Sequence, residues 1–251
     1  MTFIICEAGV NHGGDFGTAL QLARHAKQSG ADAVKFQHFS AAALKRTELA
    51  PLELSIKQHR ELAMYCQAIG IEYMCTPFGV PELDAIAPLV KRIKIASGCL
   101  RNHDLLYAAY QTGLPVILST GMSTLAEVKA ALGTLAANVT LLHCTSAYPC
   151  PLEDVNLNAM TVLRSEFGRP VGYSDHTTGI TVAIAAAAKG AAVIENHLTL
   201  DRSASGPDHK SSIEPDEFRV MVNAIRDVEK ALGDGRKRLM PSEEKVRALW
   251  P

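Results

Sequence analysis

The sequence has almost no net charge and no patch in which basic residues accumulate. Its 251 residues include 25 lysines and arginines against 26 aspartates and glutamates, a formal net charge of −1. A nucleic-acid-binding protein neutralises backbone phosphates with a basic surface, and this composition provides none. With 47% hydrophobic and 20% charged residues, the chain is ordinary globular material, so disorder is excluded as well.

Long hydrophobic runs and a secretory leader are also missing. The longest apolar stretch, Ile180 to Ile194, is interrupted by Lys189 and Gly190 and is too short to span a bilayer. Glu7 follows a short apolar start without a basic segment, which is not the pattern of a signal peptide. We therefore expect no membrane partner and a cytoplasmic location.

Paired cysteines are absent. The six cysteines include no C-x-x-C pair, and three lie in apolar runs typical of buried strands. They are Cys6, Cys66, Cys75, Cys99, Cys144 and Cys150. Because cytosolic proteins keep their thiols reduced, we expect core cysteines without disulfides.

Short apolar runs alternate with helical stretches along the whole chain. The predicted strands are Phe3–Val10, Ala33–Gln37, Glu72–Pro77, Arg92–Ser97, Pro115–Thr120, Val139–Cys144, Val171–Ser174 and Ala192–His197. The predicted helices are Phe16–Ser29, Leu52–Ile69 (beginning near Pro51), Pro81–Leu89, Asp104–Thr112, Leu125–Ala136, Ala159–Phe167, Ile180–Lys189 and Pro215–Leu232.

Eight such units predict a (β/α)₈ TIM barrel in one domain, residues 1–251, in which 233–251 form a short C-terminal tail. A doubly wound α/β sheet is the alternative. That fold needs fewer units, and no G-x-G-x-x-G follows the first strand.

Polar side chains are concentrated at the carboxyl ends of the predicted strands, where barrels of this type build their active sites. Two lysines and four hydroxyl groups meet there: Lys35, Lys94, Thr76, Ser97, Ser119 and Ser174. Lys35 and Gln37 also share a face by the two-residue period of a strand. Any one of these is typical of a surface charge or a helix cap. Together they favour a site for a phosphate or a carboxylate.

Two histidines, His176 and His197, end the seventh and eighth strands. A single histidine in a barrel is more often a core group, but two from neighbouring strands can bind one divalent ion with oxygen ligands in the other positions. Glu7 and Asp208 lie near the same mouth. These carboxylates suit a hydroxylated, sugar-like substrate and the movement of protons.

In order along nearly the whole chain, these segments resemble the N-acetylneuraminate (sialic acid) synthase family, which includes legionaminate, pseudaminate and spore-coat polysaccharide enzymes. The matching segments are Glu7–Asp15, Ala33–Gln37, Cys75–Phe78, Lys94–Gly98, Leu118–Met122, Leu142–Pro149, Gly172–Thr177, His197–Asp201 and Gly206–Pro215. The resemblance covers the family's catalytic barrel only.

The resemblance implies a cytoplasmic transferase of carbohydrate biosynthesis, in class EC 2.5.1.-. It would condense phosphoenolpyruvate with an N-acetylmannosamine-like aldehyde to give a 2-keto-3-deoxy, sialic-acid-like sugar acid and phosphate. The implied catalytic residues are Glu7, Lys35, Lys94 and Asp208. The implied substrate-binding residues are Gln37, Thr76, Ser97, Ser119, Ser146, Tyr148 and Ser174. His176 and His197 resemble the ligands of a divalent metal, Mn²⁺ or Mg²⁺.

Three features depart from the family pattern. Cys99 stands where an acidic residue is usual, and a thiol with an ordinary pKa of about 8.5 replaces a carboxylate poorly. Ser146 stands where an asparagine is usual. The chain also ends at Pro251, about where an antifreeze-like domain begins in family members and supplies an arginine across a swapped dimer.

Several interpretations follow from these departures. We favour a stand-alone synthase with an altered acceptor. The alternatives are a protein that borrows its lid from a separate partner, a piece of a longer protein, and a homologue without synthase activity. A homodimer through the barrel faces also stays open. Two other classes are a non-catalytic sensor of phosphoenolpyruvate or sugar phosphate, and a metal-dependent aldolase that would release pyruvate instead of phosphate.

Overall fold

Eight parallel strands form one sheet that nearly closes on itself. A computed structural model describes residues 1–135 and 138–250. The strands are β1 (Phe3–Gly9), β2 (Ala33–His38), β3 (Glu72–Pro77), β4 (Ile93–Ile95), β5 (Val116–Ser119), β6 (Val139–His143), β7 (Val171–Asp175) and β8 (Val193–His197). The hydrogen-bonded order is β3-β2-β1-β8-β7-β6-β5-β4, and the two outermost strands, β3 and β4, contact each other. The predicted (β/α)₈ barrel is confirmed.

Helices follow the strands. They are α1 (Phe16–Gln28), α2 (Ile56–Ile69), α3 (Val80–Ile86), α4 (His103–Gln111), α5 (Leu125–Leu135), α6 (Ala159–Phe167), α7 (Thr181–Ala188), α8 (Pro215–Leu232) and α9 (Glu244–Arg247). Local sequence fixes several ends. The Asp15 side chain accepts a hydrogen bond from the Thr18 N–H at the start of α1, and α2 ends at Gly70 in a left-handed conformation. None of the helices in 1–135 and 138–250 is long and apolar enough to cross a membrane.

Three predicted boundaries need correction. The second helix does not begin near Pro51, because Pro51 lies in a 3₁₀ turn, Thr47–Leu52, and Ser55 caps α2 with a capping box. The fourth strand is shorter than Arg92–Ser97, because a 3₁₀ turn, Ser97–Cys99, follows it directly. The third helix ends earlier than the predicted Leu89, since α3 ends at Ile86 and a 3₁₀ turn, Ala87–Leu89, follows it. The tail 233–251 contains a 3₁₀ turn, Pro241–Glu243, and α9. Ala136, the predicted last residue of the fifth helix, and Pro251 lie outside the described residues.

The strands bury apolar side chains on both faces, as parallel strands covered by helices do. One large cluster joins outward-facing strand residues such as Ile4 and Val34 to helix residues such as Leu22 and Phe218. A second, small cluster contains one side chain from each of six strands: Ile5, Ala33, Met74, Ile117, Leu142 and Val193. This second cluster fills the interior of the barrel.

Along each of these six strands, the inward-facing side chain changes from apolar to polar over two residue positions. The residues two positions after the six interior apolar ones are Glu7, Lys35, Thr76, Ser119, Cys144 and Glu195. Since side chains two residues apart share a strand face, all six belong to the next interior layer. The fold therefore places a polar layer at the carboxyl end of the barrel, directly above its apolar interior.

Candidate active site

A cavity of about 400 Å³ opens at the carboxyl ends of the strands. Its wall contains all thirteen predicted site residues: Glu7, Lys35, Gln37, Thr76, Lys94, Ser97, Ser119, Ser146, Tyr148, Ser174, His176, His197 and Asp208. The structure thus brings together residues that are spread over all eight strands and their following loops, while the role of each stays a prediction.

A chain of buried charges crosses the floor of this cavity. Lys35 Nζ lies 2.8 Å from Glu7 Oε2 and 3.5 Å from Glu195 Oε2. Lys94 Nζ lies 3.6 Å from Glu195 Oε1. All four side chains are at most 4% exposed. Glu195 therefore stands between the two ammonium groups and holds them apart at one end of the cavity.

The charges on this chain are unequal. Burial opposes the charge on Glu195, but Lys35 and Lys94 outweigh it and lower its pKa to about 2. Glu7 has one close cationic partner among the described residues, Lys35, which Glu195 shares. Burial, opposed by Lys35 and reinforced by the charge of Glu195, raises the pKa of Glu7 to about 7. At neutral pH the floor thus holds one firmly ionised carboxylate and one that exchanges its proton readily.

The two lysines place buried ammonium groups, which donate hydrogen bonds, on the cavity floor. Burial works against the charge on Lys35, but Glu195 and Glu7 overcome it and raise its pKa. Burial lowers the pKa of Lys94, which has only one close carboxylate partner. Each ammonium also donates to a hydroxyl, Lys35 to Thr76 Oγ1 at 3.0 Å and Lys94 to Ser119 Oγ at 2.7 Å. A buried cation pair with adjoining hydroxyl groups is suited to a carboxylate or phosphate.

Gly121 lets several small polar groups meet beside Lys94. A Cβ atom at this position would lie 2.4 Å from Ser146 Oγ, 2.9 Å from Ser97 Oγ and 3.0 Å from Cys144 Sγ. The Gly121 N–H also donates to Ser97 Oγ at 3.0 Å. The absence of a side chain here therefore permits the close approach of Ser97, Ser146 and Cys144 around one point of the wall.

Two imidazoles face each other in the wall of the same cavity. The ring centroids of His176 and His197 are 5.2 Å apart, and the Tyr148 ring lies 4.2 Å from that of His176. Burial lowers the pKa of both histidines to about 4, so both rings are neutral at neutral pH. Neutral rings keep a nitrogen lone pair, which metal binding requires.

The hydrogen bonds of these two rings fit a divalent ion. His176 Nδ1 lies 2.7 Å from the carbonyl oxygen of Thr145, an arrangement that orients the other ring nitrogen of metal-binding histidines. His197 Nδ1 is buried without a hydrogen-bond partner in the described part of the chain. Within residues 1–135 and 138–250, no three His, Cys, Asp or Glu side chains form a ready metal cluster. The pair therefore suits an ion that takes its remaining ligands from substrate or water.

Glu7, Gln37 and Asp208 converge on Gly9 near the mouth. A Cβ atom at Gly9 would lie 3.2 Å from Asp208 Oδ2 and 3.4 Å from both Gln37 Nε2 and Glu7 Oε1. Gln37 Nε2 also donates to Glu7 Oε1 at 3.2 Å. Burial raises the pKa of Asp208. This corner combines two carboxyl groups that can carry protons with an amide that binds hydroxyl groups.

The cavity wall also contains residues that the sequence interpretation missed, and two of them lie among its buried polar groups. Glu195 was not among the predicted site residues although it links both lysines, and Cys144 was assigned only to the core although it lines the cavity 3.3 Å from Ser97 Oγ. The two-residue period gives the missing signal, since Glu195 precedes His197 by two positions. All six cysteines are free and buried, as predicted.

Cys99 does not act as a carboxylate. It is buried in the Ser97–Cys99 turn, and burial raises the pKa of its thiol, against the opposing charge of Lys94. The thiol is therefore neutral at neutral pH.

Comparisons with known proteins agree with this geometry. The sequence model of the NeuB family matches residues 45–237. An N,N'-diacetyllegionaminic acid synthase of Legionella pneumophila is 45% identical, over 98% of this chain and 78% of the relative. An N-acetylneuraminate-9-phosphate synthase of Homo sapiens is 37% identical, over 96% of this chain and 74% of the relative. The crystal structure of an N-acetylneuraminic acid (sialic acid) synthetase from Leptospira borgpetersenii, in complex with citrate, matches with a TM-score of 0.92 at 37% identity. It covers 99% of this chain and 90% of that one.

Proposed function

The chain belongs to the NeuB family, and on that premise we propose that it condenses phosphoenolpyruvate with the aldehyde of an N-acyl amino sugar. The product would be a 2-keto-3-deoxy sugar acid of the sialic acid type, released with phosphate. The observation that carries the proposal is the single cavity in which Lys35 and Lys94 face the pair His176 and His197. The anion site suits phosphoenolpyruvate, and the imidazole pair suits a metal ion that would polarise the aldehyde.

Phosphoenolpyruvate would bind on the lysine side. Lys35 and Lys94 are buried, so their charges act in a low dielectric and are screened little by salt. Glu195 fixes the two ammonium groups without neutralising both. Its bond from Ser174 Oγ, 2.9 Å long, fixes the carboxylate in turn. This arrangement would hold one anionic donor beside Lys35 and Lys94.

His176 and His197 would hold a divalent cation, Mn²⁺ or Mg²⁺, beside the acceptor. Such an ion, when bound, acts as a Lewis acid toward a carbonyl oxygen. The protein's part is to keep both rings neutral by burial and to orient His176 through the Thr145 carbonyl. Tyr148, against the His176 ring, forms the wall on which the acceptor would rest.

The reaction needs one carbon–carbon bond formed and one carbon–oxygen bond broken. C3 of phosphoenolpyruvate attacks the aldehyde carbon, and the aldehyde oxygen takes a proton, which Asp208 would supply. Water adds to the cationic C2, and Glu7, with a pKa of about 7, takes its proton. The C2–O bond to phosphate then breaks, the new C2 hydroxyl gives its proton to the departing phosphate, and the ketone is left. Lys35 and Lys94 stabilise the carboxylate and the departing phosphate.

The test is aldehyde-dependent phosphate release. Purified protein with Mn²⁺ and phosphoenolpyruvate should release phosphate when N-acetylmannosamine is added, and EDTA should stop it. His197→Asn should lower the rate by roughly 100-fold or more and weaken Mn²⁺ binding in equilibrium titration. His25→Asn, on α1 away from the cavity, serves as the matched control. Release that is independent of aldehyde, or unaffected in His197→Asn, would overturn the proposal.

One observation favours a second candidate, a non-catalytic sensor of phosphoenolpyruvate or sugar phosphate. Position 99 offers a neutral buried thiol instead of the carboxylate usual in the family. Binding of phosphoenolpyruvate without turnover of any aldehyde would support the sensor. A homodimer and a separate lid protein both stay predictions. Sedimentation of the purified chain tests the homodimer.

A further inference from the structure

One cation in the wall of the cavity has no part in the proposed chemistry. Among the described residues that line the cavity, Arg46 is the one Lys or Arg besides Lys35 and Lys94. The two lysines are 3% exposed, whereas the Arg46 side chain is 61% exposed. Arg46 therefore stands at the mouth, where the part of an acceptor farthest from the reacting aldehyde would lie.

The loop that carries Arg46 is ordered by its own small apolar cluster. Val10, Phe39 and Ala41 form the buried part of this cluster, and side chains at positions 44, 49 and 78 pack against it. The Arg46 N–H donates to the Ala41 carbonyl oxygen at 2.9 Å. Anchoring on both sides fixes the backbone that carries the guanidinium, so the backbone loses little ordering entropy on binding.

The existing partner of Arg46 is a weak one. Arg46 Nε lies 2.8 Å from Glu48 Oε1, and the Glu48 side chain is 62% exposed. An exposed pair of this kind contributes little, because water screens it and both side chains lose freedom. A ligand anion that is partly removed from water inside the cavity can therefore take the place of Glu48.

The cluster that orders the Arg46 loop contributes only apolar side chains to the cavity wall. Phe39, Leu44, Leu49 and Phe78 form this side of the cavity wall. A neutral hydroxylated group would find few hydrogen-bond partners among them. A guanidinium on such a wall presents its donors in a fork that matches a phosphate or carboxylate.

We propose that Arg46 is a specificity residue that binds an anionic substituent, a phosphate or a carboxylate, on the sugar acceptor. The inference rests on the proposed function, because it assumes that a sugar aldehyde occupies the cavity. It predicts that an acidic acceptor is preferred to the corresponding neutral one, and it makes Glu48 a competitor for the same guanidinium.

The experiment measures binding without turnover. Calorimetry with phosphoenolpyruvate and EDTA would compare N-acetylmannosamine, its 6-phosphate and the corresponding 6-carboxylate, N-acetylmannosaminuronate. We expect at least one acidic sugar to bind roughly tenfold or more tightly than the neutral one. Arg46→Ala should remove this preference and leave the affinity for the neutral sugar within twofold. Glu48→Gln should tighten binding of the acidic sugar, because it frees the guanidinium.

Arg219→Ala provides the matched control, since Arg219 forms a similar exposed pair with Asp216, lies outside the cavity wall and is 58% exposed. In turnover assays Arg46→Ala should raise the KM for the acidic acceptor and leave kcat within twofold. Equal affinity of wild type for acidic and neutral sugars, or equal losses for both in Arg46→Ala, would overturn the inference. Neither result depends on catalysis, so both are distinct from a failure of phosphate release, which would overturn the proposed function.

Discussion

Replacing Lys94 by methionine tests the anion site most sharply, because it removes one buried charge and keeps the shape of the side chain. Lys94 Nζ is bound to Ser119 Oγ at 2.7 Å and lies 3.6 Å from Glu195 Oε1. At an effective dielectric constant of about 20, unit charges at such a distance interact by roughly 4 to 5 kcal/mol. A bound phosphoenolpyruvate anion in the same position would gain a similar amount, less the cost of its own desolvation.

We therefore expect Lys94→Met to weaken phosphoenolpyruvate binding by about 2 to 4 kcal/mol, or roughly 30- to 700-fold. Folding should suffer less, because the change also removes the cost of burying an ammonium group. Calorimetry of phosphoenolpyruvate in EDTA measures the first quantity and urea unfolding the second. The loss should persist in 0.5 M salt, since a buried charge is poorly screened.

The control is Lys57→Met, which removes a lysine that is 86% exposed on α2. Its phosphoenolpyruvate affinity should equal that of wild type. If Lys94→Met folded normally and its affinity stayed within twofold of wild type, Lys94 would not contact the anion. The interpretation of the two-lysine floor would then be wrong.

Two further predictions concern a glycine and a histidine. Gly121→Ala places a methyl group against Ser97 and Ser146, so we expect at least a tenfold loss in phosphoenolpyruvate affinity. The far-UV circular dichroism spectrum should resemble that of wild type. Unchanged affinity would show that these two hydroxyl groups are not needed for binding. Burial lowers the pKa of His59 to about 3, so unfolding takes up a proton and stability falls as pH drops below about 6.5. Wild type should therefore lose about 2 kcal/mol more than His59→Gln between pH 7 and pH 5 in urea unfolding, and parallel losses would contradict this.

Sequence reasoning predicted that these residues meet in one cavity because strand period and barrel topology act together. Once eight strands end at one mouth, residues as distant as Lys35 and His197 must meet there, whatever the details of the loops. The same reasoning missed Glu195, because the anion site was predicted from lysines and hydroxyl groups and the metal site from histidines. The period that puts Lys35 two residues after Ala33 also puts Glu195 two residues after Val193.

Other features could not be predicted from the sequence, because they depend on which of several backbone conformations a short segment adopts. The pairing of β1 with β2 shifts register between Glu7 and Gly9, and Gly9 has a positive φ of 53°. This irregularity, together with Asp208 from a distant loop, forms the carboxyl corner of the cavity. The start of α2 was misplaced because Pro51 is compatible with a 3₁₀ turn as well as with a first helical turn. The capping box at Ser55 decides the outcome.

The most direct test of the proposed reaction follows the carbon that forms the new bond. Phosphoenolpyruvate labelled with ¹³C at C3 would be incubated with the protein, Mn²⁺ and the acceptor that releases phosphate fastest, and the products would be observed by NMR. The account predicts a labelled methylene carbon joined to the former aldehyde carbon, in an amount equal to the phosphate released. A labelled methyl group of pyruvate, with no carbon–carbon coupling product, would contradict it.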